Sequence, residues 1–478
     1  MGYKVSKYQI LSIWLTAFCI LAVFSFSKIL SYDSAEKYIS IVVILFSILH
    51  LSLDYRHSRH KYLLNPYNIF YISLFLFNAG FAILTLFPSS GGLANIKESP
   101  DLVFKAFLFV SLSMIFFALG SILVGKGVSN RVDLMKSDYN LSITKNEDKL
   151  ARFTIMGLLV LSAPFYITNT IQKASLVLRY GYFGSYGKAI DSGNEISSFL
   201  SDFFVIALLA SMVLFRKQGF LMRVIVTLIS SIIVLNITLG FRSDGFLILL
   251  ASLFVYDRFV KRVLYFIWIP IIASITVFIF PLVRLYRDNI NQGVLTTTNV
   301  EYNPFFAILN EIGSTITTVV ETMKLIDLDQ SFRWGETYYR SLTMILPSQI
   351  LNSGTSDIVL SPAIWLVKNI DPAFANSGGG YGFSAIAEAY LNFGFLGGLL
   401  VMSVLGASIK LINRYIINND DTLSLLFASY TVILIFYARQ ESLLLFRPLF
   451  WYVIALSYSL RFSAISYVNQ RKNSRINQ

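Results

Sequence analysis

The sequence predicts an all-α polytopic integral membrane protein with about twelve transmembrane helices and one long outer loop. Three observations predict this class. The composition is 55% hydrophobic and only 14% charged, whereas soluble domains average about 25% charged residues. Apolar segments recur with about the 20-residue length that crosses a bilayer. The basic residues are scattered through short loops, which argues against nucleic-acid binding despite a net charge of +12 and is typical of membrane proteins.

Twelve apolar segments are candidate spans, and each needs about 20 apolar residues to cross the bilayer. The first is too long for the apolar core of a signal peptide, and further spans follow, so we expect it to be retained. The eighth is short, and its helix is expected to include residues of the sequence GFRSDG before it. The candidate spans are roughly 8–30, 38–53, 67–87, 103–124, 153–171, 198–215, 224–239, 246–256, 263–283, 385–409, 423–436 and 443–460.

The distribution of Lys and Arg predicts cytoplasmic N and C termini. With the N terminus inside, 23 of the 39 basic residues lie inside, six lie in the long outer loop and ten lie in the other outer segments. Long loops contribute little to this rule. The chain then divides into residues 1–283 with helices 1–9, 284–384 as the long outer loop, and 385–478 with helices 10–12 and a cytoplasmic tail.

The long outer loop is expected to carry short helices that lie on the membrane surface. Its apolar pieces are 305–312, 342–351 and 363–367. A loop of this length is usually functional or disordered, and its aromatic content argues against disorder.

Cysteine and histidine usage gives no metal motif. A single cysteine, Cys19, permits no disulfide or thiolate cluster within one chain. His50, His57 and His60 lie close together without zinc-ligand spacing, and we expect them at the cytosolic surface. The outer acids show no tight ligand spacing, so no metal site is predicted.

Several arginines lie at outer helix ends, where the charge rule predicts few cations. Each could extend to the interface or pair with an acid such as Asp244, Asp288 or Glu441. As a group they are suited to two-pronged binding of phosphate, and a helix beginning near Ser243 would favour an anion. The sequence therefore predicts a phosphate or diphosphate site, for which a polyprenyl carrier is the natural membrane ligand. The five arginines are Arg242, Arg284, Arg287, Arg439 and Arg447.

Aromatic residues of the outer loops could stack on apolar sugar faces. An interfacial aromatic belt would have the same composition, so both interpretations stay open. The aromatic residues are Tyr180, Tyr182, Phe183, Tyr186, Trp334, Tyr338 and Tyr339, and Arg333 and Arg340 flank the last three.

The segment GGGYGFSAIAEAYLNFG leads into the tenth span and carries an acid. Ser384 is a candidate helix N-cap, and the alanines that follow let a neighbouring helix come close. Glu388 and Asn392 share one helix face, one turn apart, at the depth of Arg439 and Arg447. Glu388 is a candidate base for a hydroxyl group, or else a structural carboxylate that pairs with an arginine and holds the long loop.

This layout resembles the O-antigen polymerase (Wzy) family of bacterial surface polysaccharide synthesis. The resemblance covers most of the chain in layout and rests mainly on residues 240–242 and 379–397. It implies a GT-C-type membrane glycosyltransferase of the bacterial inner membrane with a periplasmic active site. The donor would be a growing glycan on undecaprenyl diphosphate, and the acceptor one lipid-linked repeat unit. It implies no metal or other cofactor, and a flippase and a chain-length regulator as partners.

Residue by residue, the resemblance covers only Arg242, which matches the arginine after the glycine, and Glu388, which matches the acid before the aromatic residue and the glycine. From the chemistry of such a transfer, Glu388 is the first candidate base and Asp244 the second, and the five arginines would bind the diphosphate. The glycan-binding residues would be Arg333, Trp334, Tyr338, Tyr339, Arg340, Tyr381 and Asn392.

Two other functions stay open. A transporter, or a flippase for the same lipid-linked oligosaccharide, would fit twelve spans, but the two halves show no similarity and the polar positions lie at outer ends. An O-antigen ligase would use an outer-loop histidine, and the long loop has none.

Overall fold

The computed structural model describes residues 7–27, 31–57, 62, 64–87, 93, 96–127, 145–192, 195–262, 304–329, 331–345, 361–376, 379–419 and 422–458. These residues form helices and connecting turns without any strand. Seven of the described helices are long and apolar enough to cross a membrane, and two shorter apolar helices cover 423–439 and 443–458. The predicted all-helical polytopic class is confirmed. The count of twelve stays a prediction, since the ninth candidate span, 263–283, lies outside the described residues.

The helices of the N-terminal part follow the candidate spans in order. The third span is built from two short helices joined by a π-helical turn, Phe75–Ala79. The eighth begins at Arg242, inside GFRSDG, as expected. The helices are α1 Lys7–Phe26, α2 Tyr32–His57, α3 Pro66–Leu74, α4 Phe81–Thr85, α5 Pro100–Gly127, α6 Lys145–Ser192, α7 Glu195–Leu214, α8 Gly219–Thr238 and α9 Arg242–Phe259.

The region predicted as a long loop is largely helical where it is described. Helices cover the apolar pieces 305–312 and 363–367, and their expected place on the membrane surface stays a prediction. Of the piece 342–351, Leu342 and Thr343 form the end of α12, and residues 344–345 form a turn. Residues 346–351 lie outside the described residues. The remaining helices are α10 Pro304–Gly313, α11 Ile316–Asp329, α12 Glu336–Thr343, α13 Pro362–Ile370, α14 Pro372–Asn376, α15 Ala385–Asn418, α16 Thr422–Phe436 and α17 Leu443–Pro448, which continues as a π-helical stretch, Leu449–Ala455.

Helices α5 and α15 pack against each other at the centre of the bundle. Glycines allow the close approach: a Cβ at Gly120 would lie 1.8 Å from the carbonyl oxygen of Ser403, and one at Gly406 would lie 2.0 Å from that of Phe117. Small residues at helix crossings are the usual means of tight packing in membranes. This pair is therefore the frame on which the other helices are placed.

Helix α11, which the sequence did not predict, packs into the bundle. Ile316, Val319 and Met323 are fully buried, and the helix contacts both α5 and α15. Ion pairs fix its C-terminal half, with Lys324 Nζ 2.6 Å from Glu98 and Lys105 Nζ 3.2 Å from Asp327. Part of the predicted loop is thus built into the helical core.

Helix α15 breaks at Gly394, whose φ of 65° and ψ of −160° are not helical. The break leaves carbonyl groups of the preceding turn without helical partners. The segment 331–335 fills this gap: Arg333 N–H donates to Leu391 O at 3.0 Å and Trp334 N–H donates to Asn392 O at 2.9 Å. Non-helical backbone at a membrane helix is tolerated where protein groups satisfy it. The segment is therefore fixed to α15 by its backbone.

A buried polar cluster lies at the other end of α15. Lys410 forms an ion pair with Asp54 of α2 and lies 4.2 Å from the ring centroid of Tyr67. The Tyr67 hydroxyl contacts His50 Nε2 at 2.7 Å and donates to Ser121 Oγ at 2.8 Å. His50 is 2% exposed, so its expected place at the surface is wrong, because these partners satisfy it inside the bundle. The side chains of the other two histidines lie outside the described residues.

Candidate functional site

Glu388 lies in the first turn of α15 and is fully buried. Thr337 Oγ1 and Ser442 Oγ donate to its Oε1 at 2.8 and 2.6 Å, and the Ser442 N–H donates to Oε2 at 2.8 Å. Both carboxylate oxygens therefore accept hydrogen bonds. These bonds join α15 to α12 and to the start of α17.

Asn392 continues the same network one turn further along α15. Its Nδ2 donates to Thr337 Oγ1 at 2.7 Å and to the carbonyl oxygen of Glu388 at 2.8 Å, and its Oδ1 accepts from Gly335 N–H at 3.0 Å. The prediction that Glu388 and Asn392 share a face is confirmed. Asn392 is fully buried, so its described contacts are with the protein.

Ser384 is the N-cap of α15, as the sequence predicted. Its Oγ accepts from the Ile386 N–H at 3.1 Å and donates to Asn78 Oδ1. The Asn78 Nδ2 in turn donates to Ala438 O at 3.1 Å. The first turn of α15 is therefore tied to the third span and to the turn after α16.

Glu441 caps a second helix of the loop region. Its Oε2 accepts from Ser361 Oγ at 2.9 Å and from Ala363 N–H at 3.0 Å, at the start of α13. Burial raises the pKa of Glu441 above its usual value, and these hydrogen bonds partly oppose that shift. Among the described residues neither Glu388 nor Glu441 forms an ion pair within 4.0 Å, so the expected arginine partners are replaced by hydroxyl and backbone donors.

The segment 331–335 and helix α12 present an exposed aromatic and cationic surface. Trp334, with φ of 49°, is 77% exposed, and Tyr339 is 67% exposed. Arg340 contacts Glu336 Oε1 at 2.5 Å, and Arg333 contacts Glu336 Oε2 at 3.4 Å. The Arg340 hydrogen bond, and then Arg333, hold the pKa of Glu336 below its usual value. We call Arg333, Trp334, Tyr339 and Arg340 the aromatic-cationic surface.

The other predicted glycan-binding residues have different surroundings. Tyr338 is half-buried and stacks on Phe393, with ring centroids 6.3 Å apart. Tyr381 is 39% exposed and packs on Phe374. The aromatic residues expected in the loop after the fifth span lie instead on α6, which extends to Ser192. Tyr180 is exposed there, and the side chains of Tyr182, Phe183 and Tyr186 lie outside the described residues.

Two of the five predicted arginines have described side chains. Arg447 Nε donates to Met344 O at 3.0 Å, just beyond the end of α12. The guanidinium carbon of Arg439 lies 5.7 Å from the centroid of the Phe77 ring. Arg242 begins α9, but its side chain lies outside the described residues, as do Arg284 and Arg287 entirely. The structure thus attaches Arg447 directly to the helix that carries the aromatic-cationic surface.

Asp244 and Arg447 belong to one polar cluster that the sequence did not fully reveal. Both lie within electrostatic reach of Asp202 on α7, as does Lys173 on α6, and the Tyr452 side chain adjoins the Asp202 carboxylate. A lone acid inside the apolar sequence FLSDFFV was the signal that would have found Asp202. The described residues contain no group of three or more His, Cys, Asp or Glu side chains placed to hold a metal ion.

Comparison with known proteins gives one family. The family model described as O-antigen polysaccharide polymerase Wzy matches residues 12–472, nearly the whole chain. No curated protein and no solved structure matches the chain. The matched range contains the Glu388 network, the aromatic-cationic surface and the cluster around Asp202.

Proposed function

Since the chain belongs to the O-antigen polysaccharide polymerase Wzy family, we propose that it transfers a growing glycan from undecaprenyl diphosphate to a lipid-linked repeat unit. The reaction takes place at the periplasmic face of the bacterial inner membrane. The family acts on lipid-linked oligosaccharide repeat units and implies a glycosyltransferase-type polymerase. The observation that carries the proposal is the hydrogen bond from Arg447 to Met344 O, because it fixes a cation at the end of α12, the helix that carries Tyr339 and Arg340.

The arginines stabilise the leaving diphosphate in this proposal. Negative charge grows on the diphosphate as the glycosidic bond breaks, and fixed donors aimed at that charge are usually the largest catalytic contribution. The Met344 carbonyl orients Arg447, and Phe77 supports Arg439. Arg242, Arg284 and Arg287 complete the proposed set. These cations take the place that a metal ion has in many other glycosyltransferases.

The aromatic-cationic surface binds the glycan. Exposed Trp334 and Tyr339 offer rings for apolar sugar faces, and Arg333 and Arg340 offer donors for sugar oxygens. Tyr381 extends this surface. Tyr338 and Asn392 support this surface from inside the protein, since Tyr338 stacks on Phe393 and Asn392 donates to Thr337.

We propose a positioning role for Glu388. Its two carboxylate oxygens already accept three hydrogen bonds, and it is fully buried. It thereby holds α12, and with it the aromatic-cationic surface, on the start of α15 and α17. The role of proton acceptor for Glu388 or Asp244 stays a prediction from the sequence.

The remaining features follow from the same proposal. The fold is of the GT-C type with both termini cytoplasmic, and a flippase and a chain-length regulator act beside the polymerase. In cells, loss of this protein leaves a single repeat unit on the surface lipid. Loss of a flippase would instead leave none, so this product separates the polymerase from the transporter alternative.

Arg447→Lys tests the diphosphate role in purified protein. Lysine keeps the charge but loses the bidentate geometry of the guanidinium, so we expect about a 10-fold or greater loss of turnover. The measurement is polymer formation from a defined undecaprenyl-diphosphate-linked repeat unit. Arg223→Lys, at the other end of the bundle on α8, is the control and should keep normal turnover. Full activity in both Arg447→Lys and Arg439→Lys would contradict the diphosphate role.

A further inference from the structure

Asp202 is an acid within a span. It lies on α7, which is one of the seven helices long enough to cross a membrane, and the residue is exposed although protein surrounds its carboxylate. Acids inside membrane spans almost always face the bundle interior or a water-filled cavity, and they mark pathways for substrates or protons. The surroundings of Asp202 decide between lipid and such a crevice.

Those surroundings are polar and come from three other helical regions. Lys173 of α6, Asp244 of α9, and Arg447 and Tyr452 of the last helix all lie near the Asp202 carboxylate. Tyr452 is buried and its hydroxyl donates to Phe199 O at 3.3 Å, which fixes the ring against α7. Such a group of charges faces a crevice between the helices, because charges directed at lipid would be costly.

The two cations of the cluster are held near the carboxylate without neutralising it directly. Lys173 Nζ lies 5.7 Å from the Phe241 ring centroid, and Arg447 donates to Met344 O. Among the described residues, no cation comes within 4.0 Å of the Asp202 carboxylate. A substrate diphosphate bound by Arg447 would therefore bring its sugar close to an accessible carboxylate.

The three candidate acids differ in access. Glu388 is fully buried and accepts three hydrogen bonds from the protein. Asp244 is half-buried and takes part in a further interaction of its own. Asp202 is an exposed residue within electrostatic reach of Arg447, the arginine that contacts the end of α12. Access to a bound sugar hydroxyl is the first requirement for a general base, and of the three Asp202 meets it best.

We propose that Asp202 is the catalytic residue that accepts the proton of the acceptor hydroxyl, an inference that rests on the polymerase function proposed above. The acceptor oxygen attacks the anomeric carbon of the donor glycan and forms the new glycosidic bond, while its proton passes to Asp202. The bond between that carbon and the diphosphate oxygen breaks, and its electron pair leaves with undecaprenyl diphosphate. Arg447 and Lys173 stabilise the added negative charge. Asp202 then returns the proton to water.

The test compares Asp202→Asn with Asp202→Glu in purified protein. The first variant has nearly the same shape but cannot accept the proton, so we expect turnover to fall about 100-fold or more. The second should keep part of the turnover. In the wild type, turnover should fall as the pH drops and Asp202 becomes protonated, and this limb of the pH profile should be absent from the residual activity of Asp202→Asn. The pH at which turnover falls depends on the titratable groups around the site, which are Lys173, Asp244, Arg447, Tyr166 and Tyr452.

Binding is measured separately with undecaprenyl diphosphate itself, as its stabilising effect on thermal unfolding in nanodiscs. Asp202→Asn should keep this effect, and Asp33→Asn, an exposed acid at the start of α2, is the control for turnover. Two results for Asp202→Asn would overturn the role of Asp202 as base. One is turnover within about 3-fold of the wild type, and the other is a loss of turnover that parallels a loss of stabilisation by undecaprenyl diphosphate. A wild-type protein that forms no polymer overturns the proposed function itself.

Discussion

Glu388 holds three parts of the chain together through one carboxylate group. It receives donors from α12 and from the start of α17 while itself standing in the first turn of α15. Buried acceptors with a complete set of donors rigidify their surroundings, and a lost partner leaves an unsatisfied group that costs about 1–3 kcal/mol. The residue therefore holds in place the helix that carries Tyr339 and Arg340 of the aromatic-cationic surface.

Glu388→Gln separates this positioning role from base catalysis. The amide puts an NH₂ group where either Ser442 N–H or the two hydroxyl groups now donate, so we expect the free energy of unfolding to fall by about 1–3 kcal/mol and polymer formation to decrease. The pH profile of the residual turnover should keep the wild-type shape. Thermal unfolding and the pH dependence of polymer formation are the measurements.

The control for Glu388→Gln is Ser408→Ala, which removes an exposed hydroxyl on the same helix whose hydrogen bond among the described residues is to Val404 O. This variant should be as stable and as active as the wild type. A Glu388→Gln protein of normal stability that lacks the low-pH limb would identify Glu388 as the base instead.

At the scale of single elements, hydropathy predicts spans well and predicts their interruptions poorly. The apolar segments place α5 and α7 closely, because a membrane helix must satisfy its own backbone over about 20 residues. The same signal cannot show that α15 breaks at Gly394, since the break depends on donors from segment 331–335, more than 50 residues earlier. It also missed α11, whose charged residues lower its hydropathy although ion pairs satisfy them.

Gly394→Ala tests the break in α15. The φ and ψ of this residue lie in a region that is essentially restricted to glycine, and a Cβ would come 2.8 Å from the Phe332 ring. We expect a loss of about 1–3 kcal/mol in the free energy of unfolding, together with weaker polymer formation. Thermal unfolding measures the loss of stability.

Gly380→Ala is the matched control for Gly394→Ala. It lies a few residues before α15, and a Cβ there meets nothing within 4 Å. Equal stability of the two variants would show that the break in α15 does not need glycine.

At the scale of the whole molecule, polar clusters occupy opposite ends of α15. Glu388 and Lys410 are 22 positions apart, on either side of the break at Gly394. One cluster adjoins the proposed active site. The other, formed by Lys410 with Asp54 and the Tyr67 network, ties α15 to α2 and α3. The same helix thus aligns the two faces of the protein.

Lys410→Met and Asp54→Leu test the second cluster. Removing one partner leaves a buried charge without its counter-ion, so each single variant should lose about 3–5 kcal/mol of stability. The double variant should recover most of that loss, because no uncompensated charge remains. Thermal unfolding of the three proteins in nanodiscs is the measurement. Single variants as stable as the wild type would show that the ion pair has no structural role.

The sequence predicts features that depend on neighbouring residues, and it does not predict contacts between residues far apart in the chain. Composition, span order and the shared face of Glu388 and Asn392 are local or additive properties. The partners Thr337 and Ser442 could not be predicted, because each lies about 50 residues from Glu388 and belongs to no pattern. Asp202 and Lys173 meet only through the packing of α6 against α7. The division of the chain at 283 and 384 stays a prediction.

The backbone pairing between segment 331–335 and α15 limits what this face of the protein can do. A flap that closes over its substrate must be able to detach from the rest of the protein. Here, moving segment 331–335 away from α15 would leave the carbonyl groups of Leu391 and Asn392 without hydrogen-bond donors. The aromatic-cationic surface is therefore a fixed surface and does not open and close as a lid does. If this surface binds the glycan as proposed, a polymer that lengthens by one unit per cycle would slide across a fixed surface, and the exchange of sugar–ring contacts, rather than opening and closing, would limit how fast long chains advance.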